Sequence, residues 1–121
     1  MSTIPALVDR YVAIWNEPDP ALRRQSILAL WTEDGAHLSQ SIESYGYKAL
    51  EARVGDAYEK WVKSEGFIFR RLNNIDSHHN VVKFNWEMIP ADGGKAATVG
   101  LDFLILSDDG RIRCAYQFIV T

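Results

Sequence analysis

Apolar residues recur at Ile4, Leu7, Val8, Tyr11, Val12 and Trp15, the three- and four-residue spacing of one helical face, so a helix is expected near the start of the chain. Ser2 or Thr3 can cap it, and Pro5 suits its first turn. Asn16-Glu17-Pro18 ends it. Asp19-Pro20 then reads as an N-cap followed by proline at the first helical position, opening a second helix whose inward face is Ile27, Leu30 and Trp31. Thr32-Glu33-Asp34-Gly35 is expected to turn, and 36–41 to form a short strand with His37 and Ser39 on one face. Gly46 precedes a third helix, over 48–63, in which Leu50, Val54, Ala57 and Trp61 face inward and the outer face is charged and solvated.

Beyond Gly66 the pattern is that of strands, expected over 67–75, 81–89, 96–107 and 111–120. Asp76-Ser77-His78-His79-Asn80 and Asp92-Gly93-Gly94 supply turns between them. Ser107-Asp108-Asp109-Gly110-Arg111 fits a three-residue hairpin loop closed by a left-handed glycine, pairing Ser107 with Arg111; counting back places Asp102 opposite Tyr116. Helices first and antiparallel strands after them argue for an α+β fold, with three helices on one face of a strongly curved, mainly antiparallel sheet and a cavity between the layers. One domain over 1–121 is expected. Phe67, Phe69, Trp86, Phe103, Tyr116 and Phe118 are too many aromatics for one interior layer, which points to a homodimer through the open sheet face. Arg70 or Arg71 is expected to pair with Glu87 across neighbouring strands.

Composition narrows the function classes. A hydrophobic share of 47% and a charged share of 24% are ordinary for a globular protein, and four Trp leave material for an aromatic-lined cavity. Net charge is −3 with the basic residues scattered, which argues against nucleic acid as a partner. Cys114 is the only cysteine, so neither an internal disulfide nor a multi-cysteine metal site can form. Asp9 and Arg10 interrupt the first apolar stretch, and no apolar run is long enough to span a bilayer. A cytoplasmic protein without a membrane partner is expected. His78-His79 lacks a nearby set of acidic or cysteine ligands, and adjacent strand residues point to opposite faces, so no metal site is expected.

The candidate chemistry centres on Asp102, which lies inside Val99-Gly100-Leu101-Asp102-Phe103-Leu104-Ile105-Leu106, where an ionised carboxylate is costly without a partner. Around it stand Tyr11-Val12-Ala13-Ile14-Trp15-Asn16, Leu30-Trp31-Thr32-Glu33-Asp34-Gly35 and Asp109-Gly110-Arg111-Ile112. With these segments the chain resembles a SnoaL-like member of the nuclear transport factor 2-like superfamily, the cone-shaped fold of ketosteroid isomerase, scytalone dehydratase and polyketide cyclases. The resemblance covers almost the whole chain, and the superfamily holds enzymes, ligand carriers and protein-binding modules on one scaffold.

Ketosteroid isomerase combines a Tyr and a protonated Asp as oxyanion hole with a second Asp as base. The resemblance puts Tyr11 and Asp102 on the first two positions and Ser39 on the third, where a carboxylate base is missing. His37, on the face of Ser39, is the nearest titratable substitute. Trp15, Ser39, Trp86, Tyr116 and Phe118 are the expected ligand-binding residues. The implied function is binding of a small apolar carbonyl compound, with isomerase- or cyclase-type proton transfer and no cofactor. The alternative is a non-catalytic ligand-binding or homodimeric association module, in which Tyr11 and Asp102 are hydrogen-bonded core residues. With no Lys or Arg in 96–106, and Tyr116 as its expected neighbour, Asp102 is expected to bond Tyr11 and to be largely protonated at neutral pH.

Overall fold

Thr3 caps the first helix, its side-chain oxygen accepting from the Ala6 amide at 3.2 Å. The protein is described by a computed structural model over residues 3–121, so the alternative cap, Ser2, lies outside the described residues. This helix, α1 (Ile4–Asn16), buries Leu7, Val8, Tyr11, Val12, Ile14 and Trp15. Asp19 caps α2 (Pro20–Leu30) through the Ala21 amide at 2.9 Å, and Ile27 and Leu30 face inward as expected.

Trp31 belongs to β1 (Trp31–Leu38) rather than to α2, and the expected turn at Thr32-Glu33-Asp34-Gly35 is a bulge within that strand. Trp31 pairs with Ile112 and Ala36 with Cys114, so the extra residues loop outward. The buried Trp31 indole holds the bulge, donating to the Ala36 carbonyl at 3.1 Å, and a side chain at Gly35 would collide with it. The strand expected over 36–41 therefore ends at Leu38, and a short partner follows, β2 (Glu43–Tyr45), whose one buried residue, Ser44, is polar and gives no hydrophobic signal.

The third helix starts at Gly46 as α3 (Gly46–Ala57) and widens into a π-helical segment, Tyr58–Ser64. The strand expected over 67–75 ends early as β3 (Phe67–Arg71), and the first half of the turn expected over 76–80 is instead a short strand, β4 (Asp76–His78); both are antiparallel to the long β5 (Val81–Pro90). The break falls where the Asn74 side chain takes over ladder bonding, its Oδ1 accepting the Asn85 amide at 3.0 Å. His79 and Asn80, with φ of 50° and 63°, form the tight β4–β5 turn. That turn brings the two imidazoles together, Nδ1 to Nδ1 at 3.0 Å, instead of sending them to opposite faces. Arg70 pairs with Glu87, its Nε donating at 2.6 Å, while Arg71 turns to Asp9.

β6 (Thr98–Leu106) and β7 (Ile112–Ile119) complete a mixed sheet of order β2-β1-β7-β6-β5-β3, antiparallel except where β1 runs parallel to β7. The last hairpin loop forms as expected, the Ser107 amide donating to the Arg111 carbonyl at 2.8 Å. One step further the register slips, because Leu106 pairs with Ile112 but Ile105 with Cys114, leaving Arg113 as a bulge residue. Asp102 consequently faces Gln117, and Tyr116 faces Phe103, in place of the expected Asp102–Tyr116 pair. Helices and curved sheet bury one continuous core that includes Tyr11, Trp31, Leu50, Phe84, Leu104 and Ile112. No helix among the described residues is long and apolar enough to cross a membrane.

Candidate ligand-binding and proton-transfer site

A cavity of about 310 Å³ opens between the helical layer and the inner face of the sheet. Its apolar wall comes from Trp15 on α1, Trp61 on the π-helical segment, Phe69 on β3 and Trp86 and Met88 on β5. Alternation along β5 aims Trp86 and Met88 inward, and the π-helical segment brings Trp61 to the same space. Small-molecule sites typically set a few polar groups in such an apolar wall. Here they are Tyr11, Arg53, Thr98, Asp102 and Gln117.

Asp102 stands in the middle of β6, 2% exposed. Its Oδ2 accepts the Tyr11 hydroxyl at 2.6 Å and its Oδ1 accepts the Trp86 indole N–H at 2.8 Å. Burial raises its pKa from 3.8 to about 6; the hydrogen bonds from Tyr11 and Trp86 and the charge of Arg53 work in the opposite direction and limit the rise. The direction matches the expectation, but at neutral pH the carboxylate prevails over the acid. The difference comes from Trp86 and Arg53, neither of which strand neighbours alone place beside Asp102. Tyr11 is driven well above its ordinary value, by burial first and then by Asp102, so it stays a neutral hydroxyl donor.

Arg53 comes from α3, half-buried, with its guanidinium carbon 5.5 Å from the Trp15 ring centre. Its Nε is buried and bonded to nothing among the described residues. The outer face of this helix is expected to be charged and solvated. Yet Arg53 lies three residues after Leu50 and four before Ala57, which is the apolar stripe itself.

The structure gathers Tyr11, Asp102, Trp15 and Trp86 around one cavity and leaves the other expected residues elsewhere. His37 is fully buried but is not part of the cavity wall. Its ring centre lies 5.0 Å from that of Trp15, neither ring nitrogen has a hydrogen-bond partner among the described residues, and burial, aided by Arg53, lowers its pKa to about 3. A ring that stays unprotonated down to that pH is a poor proton acceptor near neutrality. Ser39 sits in the turn after β1, its hydroxyl donating to the Ile42 carbonyl at 3.4 Å, and lines a separate outer groove together with Tyr116 and Phe118. Tyr116 and Phe118 are 41% and 54% exposed. The Arg113 bulge exchanges the faces of β7, turning these two rings outward and presenting Gln117 and Ile119 to the cavity. Among the described residues no cluster of three or more His, Cys, Asp or Glu could hold a metal ion.

No family model matches the chain, and no curated protein matches it. Solved structures do. A proposed isomerase of the SnoaL-like family from Agrobacterium tumefaciens is 27% identical and superposes with a TM-score of 0.86 over 95% of each chain. An NTF2-like protein of unknown function from Exiguobacterium is 16% identical, with a TM-score of 0.72 over 94% of this chain and 98% of that one. A proposed polyketide cyclase from Sinorhizobium meliloti is 13% identical, with a TM-score of 0.71 over 95% of each chain. The order of helices and strands, the curved sheet with its inner cavity and these superpositions agree: the chain has the α+β cone fold of the NTF2-like proteins and is similar over nearly its whole length to a SnoaL-like protein.

Proposed function

We propose that this chain binds a small, largely apolar carbonyl compound in the cavity and moves a proton on it in an isomerase- or cyclase-type step, with Asp102 as the proton-exchanging group. The observation that carries this reading is a single buried carboxyl, held by Tyr11 and Trp86, on the wall of an otherwise apolar cavity. With a pKa of about 6 it is available as a base near neutrality and still able to return the proton. As a base, it takes a proton from the carbon beside the carbonyl, and the electron pair of the C–H bond moves onto the carbonyl oxygen as an enolate. Asp102 is then neutral and needs the Tyr11 hydrogen bond less, so that hydroxyl can turn to the enolate oxygen. Return of the proton to another carbon completes an isomerisation with no net gain or loss of atoms.

The step is tested by following deuterium incorporation into 2-tetralone in deuterated water by NMR. The expected result is exchange accelerated by the wild type, slowed in Tyr11→Phe and lost in Asp102→Asn. Binding without exchange would leave a ligand-binding module; absence of binding would overturn the cavity reading.

Association is a second reading, with its own observation. Tyr45, Tyr116, Phe118 and Val120 are all exposed, and Phe103 packs edge-on against Phe118 with ring centres 5.9 Å apart. The helices cover only the inner face of the sheet, and a second copy of the chain, related by a two-fold axis, would cover this exposed aromatic face.

A further inference from the structure

Arg53 holds a position that the proton-transfer step does not use. Together with Gln117 and Ile119 it lines both the cavity and the outer groove that runs along 38–43 and 116–119, so its guanidinium marks the junction of the two. Arg70, Arg71 and Arg111 each hold a carboxylate, whereas Arg53 holds none, and its buried Nε is unbonded among the described residues. Asp102, the only carboxylate among the described residues of the cavity wall, accepts from Tyr11 and Trp86 and, like Asp56, acts on Arg53 only through its field, with no ion pair or hydrogen bond between them. Glu43, the only one lining the groove, accepts the Tyr45 hydroxyl. A cation drawn partly out of water without an anion in contact is costly, and the cost falls when an anion arrives. A guanidinium also offers paired donors whose spacing matches the two oxygens of a carboxylate.

We propose that the molecule bound in the cavity is itself an anion, an apolar mono- or bicyclic body bearing a carboxylate, whose carboxylate is received by Arg53 where the cavity meets the groove. This rests on the cavity being a ligand site, and it specifies the ligand further: neutral steroid-like or polyketide-like ketones lack the group that Arg53 would hold. The body of the ligand lies among Trp15, Trp61 and Trp86, and its charged end points toward the groove. Arg53 is therefore a specificity-determining residue, and the charge it places near Asp102 is neutralised when the ligand binds. The field that helps to keep Asp102 ionised weakens at that moment, so the Asp102 pKa rises in the complex.

The experiment is calorimetric titration of the full chain with 2-naphthoate and with 2-naphthamide, which share a body and differ in charge. In the wild type the carboxylate should bind about tenfold or more tightly than the amide, the size expected for a charge-assisted pair. In Arg53→Gln that preference should collapse to within about threefold, and Arg53→Lys should restore part of it. The carboxylate's binding should also be accompanied by proton uptake, read from the dependence of the heat on buffer. Equal affinities of the wild type for the two probes would overturn the carboxylate assignment while leaving the cavity as a neutral-ligand site. A preference unchanged in Arg53→Gln would overturn the role of Arg53. Failure of both probes to bind the wild type would remove the cavity reading and this proposal with it. Should Arg53→Gln not fold, the wild-type preference and the Arg53→Lys variant still decide the question.

Discussion

Trp86 and Gly100 are cross-strand partners, and the indole of Trp86 lies against the bare backbone of Gly100, so closely that a Cβ added there would fall on the ring. That contact directs the indole N–H toward Asp102 two residues further along β6. Glycine is required here by close approach rather than by backbone angle. Gly100→Ala should displace the indole, destabilise the fold by about 1–3 kcal/mol and remove a donor that favours the ionised carboxyl. Urea unfolding checks the first effect. Carboxyl-carbon NMR checks the second, where the Asp102 pKa should move above its wild-type value of about 6; an unmoved pKa would refute the coupling.

Tyr11→Phe tests the other oxygen of the same carboxyl. The ring keeps its edge-on contact with Phe84, at 6.0 Å between centres, while Oδ2 loses the Tyr11 hydroxyl donor. Because the Tyr11 hydrogen bond lowers the Asp102 pKa, its removal should raise it, and the cost to stability should be about 1–3 kcal/mol. The rate of deuterium exchange on 2-tetralone should rise with pH as Asp102 ionises, and the midpoint should lie higher in the variant. Coincident midpoints would show that Tyr11 does not tune the base.

His37 makes an acid-linked prediction. Its pKa falls from 6.5 in the unfolded chain to about 3 in the fold, so its contribution to stability is complete above 6.5 and is lost as pH falls toward 3, roughly 5 kcal/mol in total. Asp102 runs the other way: its raised pKa gives a contribution present below 3.8 and lost as pH rises through about 6, roughly 3 kcal/mol. His37→Leu removes two unbonded buried nitrogens and the first of these slopes. Urea unfolding at pH 8 and pH 4 should show the variant gaining on the wild type at the lower pH by several kcal/mol. An equal difference at both pH values would contradict a neutral, sequestered imidazole.

Phe118→Glu addresses association. The exposed ring packs against Phe103 on the outward face and is not among the residues that line the Asp102 cavity. Sedimentation at micromolar concentration should give a dimer for the wild type and a 13.7 kDa monomer for the variant, with the two equally stable once dissociated. A monomeric wild type would remove the second-copy reading.

Local patterns determined a good deal by themselves. The stripe Leu7, Val8, Tyr11, Val12 and Trp15 defined α1 and its inward face, Asp19-Pro20 started α2, and Ser107 with Arg111 closed the last hairpin, because caps, helical periodicity and turn chemistry act within a few residues. An Asp among apolar neighbours on β6 was enough to single out Asp102 and the raised direction of its pKa. Tertiary structure decided the rest. The Arg113 bulge, one residue on one strand, reversed which side chains of β7 meet the cavity, so Gln117 replaced Tyr116 opposite Asp102. Trp31 left its expected helix because burial of its indole under a bulge outweighed the helical stripe. Arg53 came to the cavity wall and His37 was sealed away from it, since which buried surface a residue reaches depends on elements distant in sequence. Periodicity reports only that a residue points inward; the packing of α3 and α1 on the sheet determines what it meets there, and with it whether Asp102 is mainly a hydrogen-bond donor or, at neutral pH, a base.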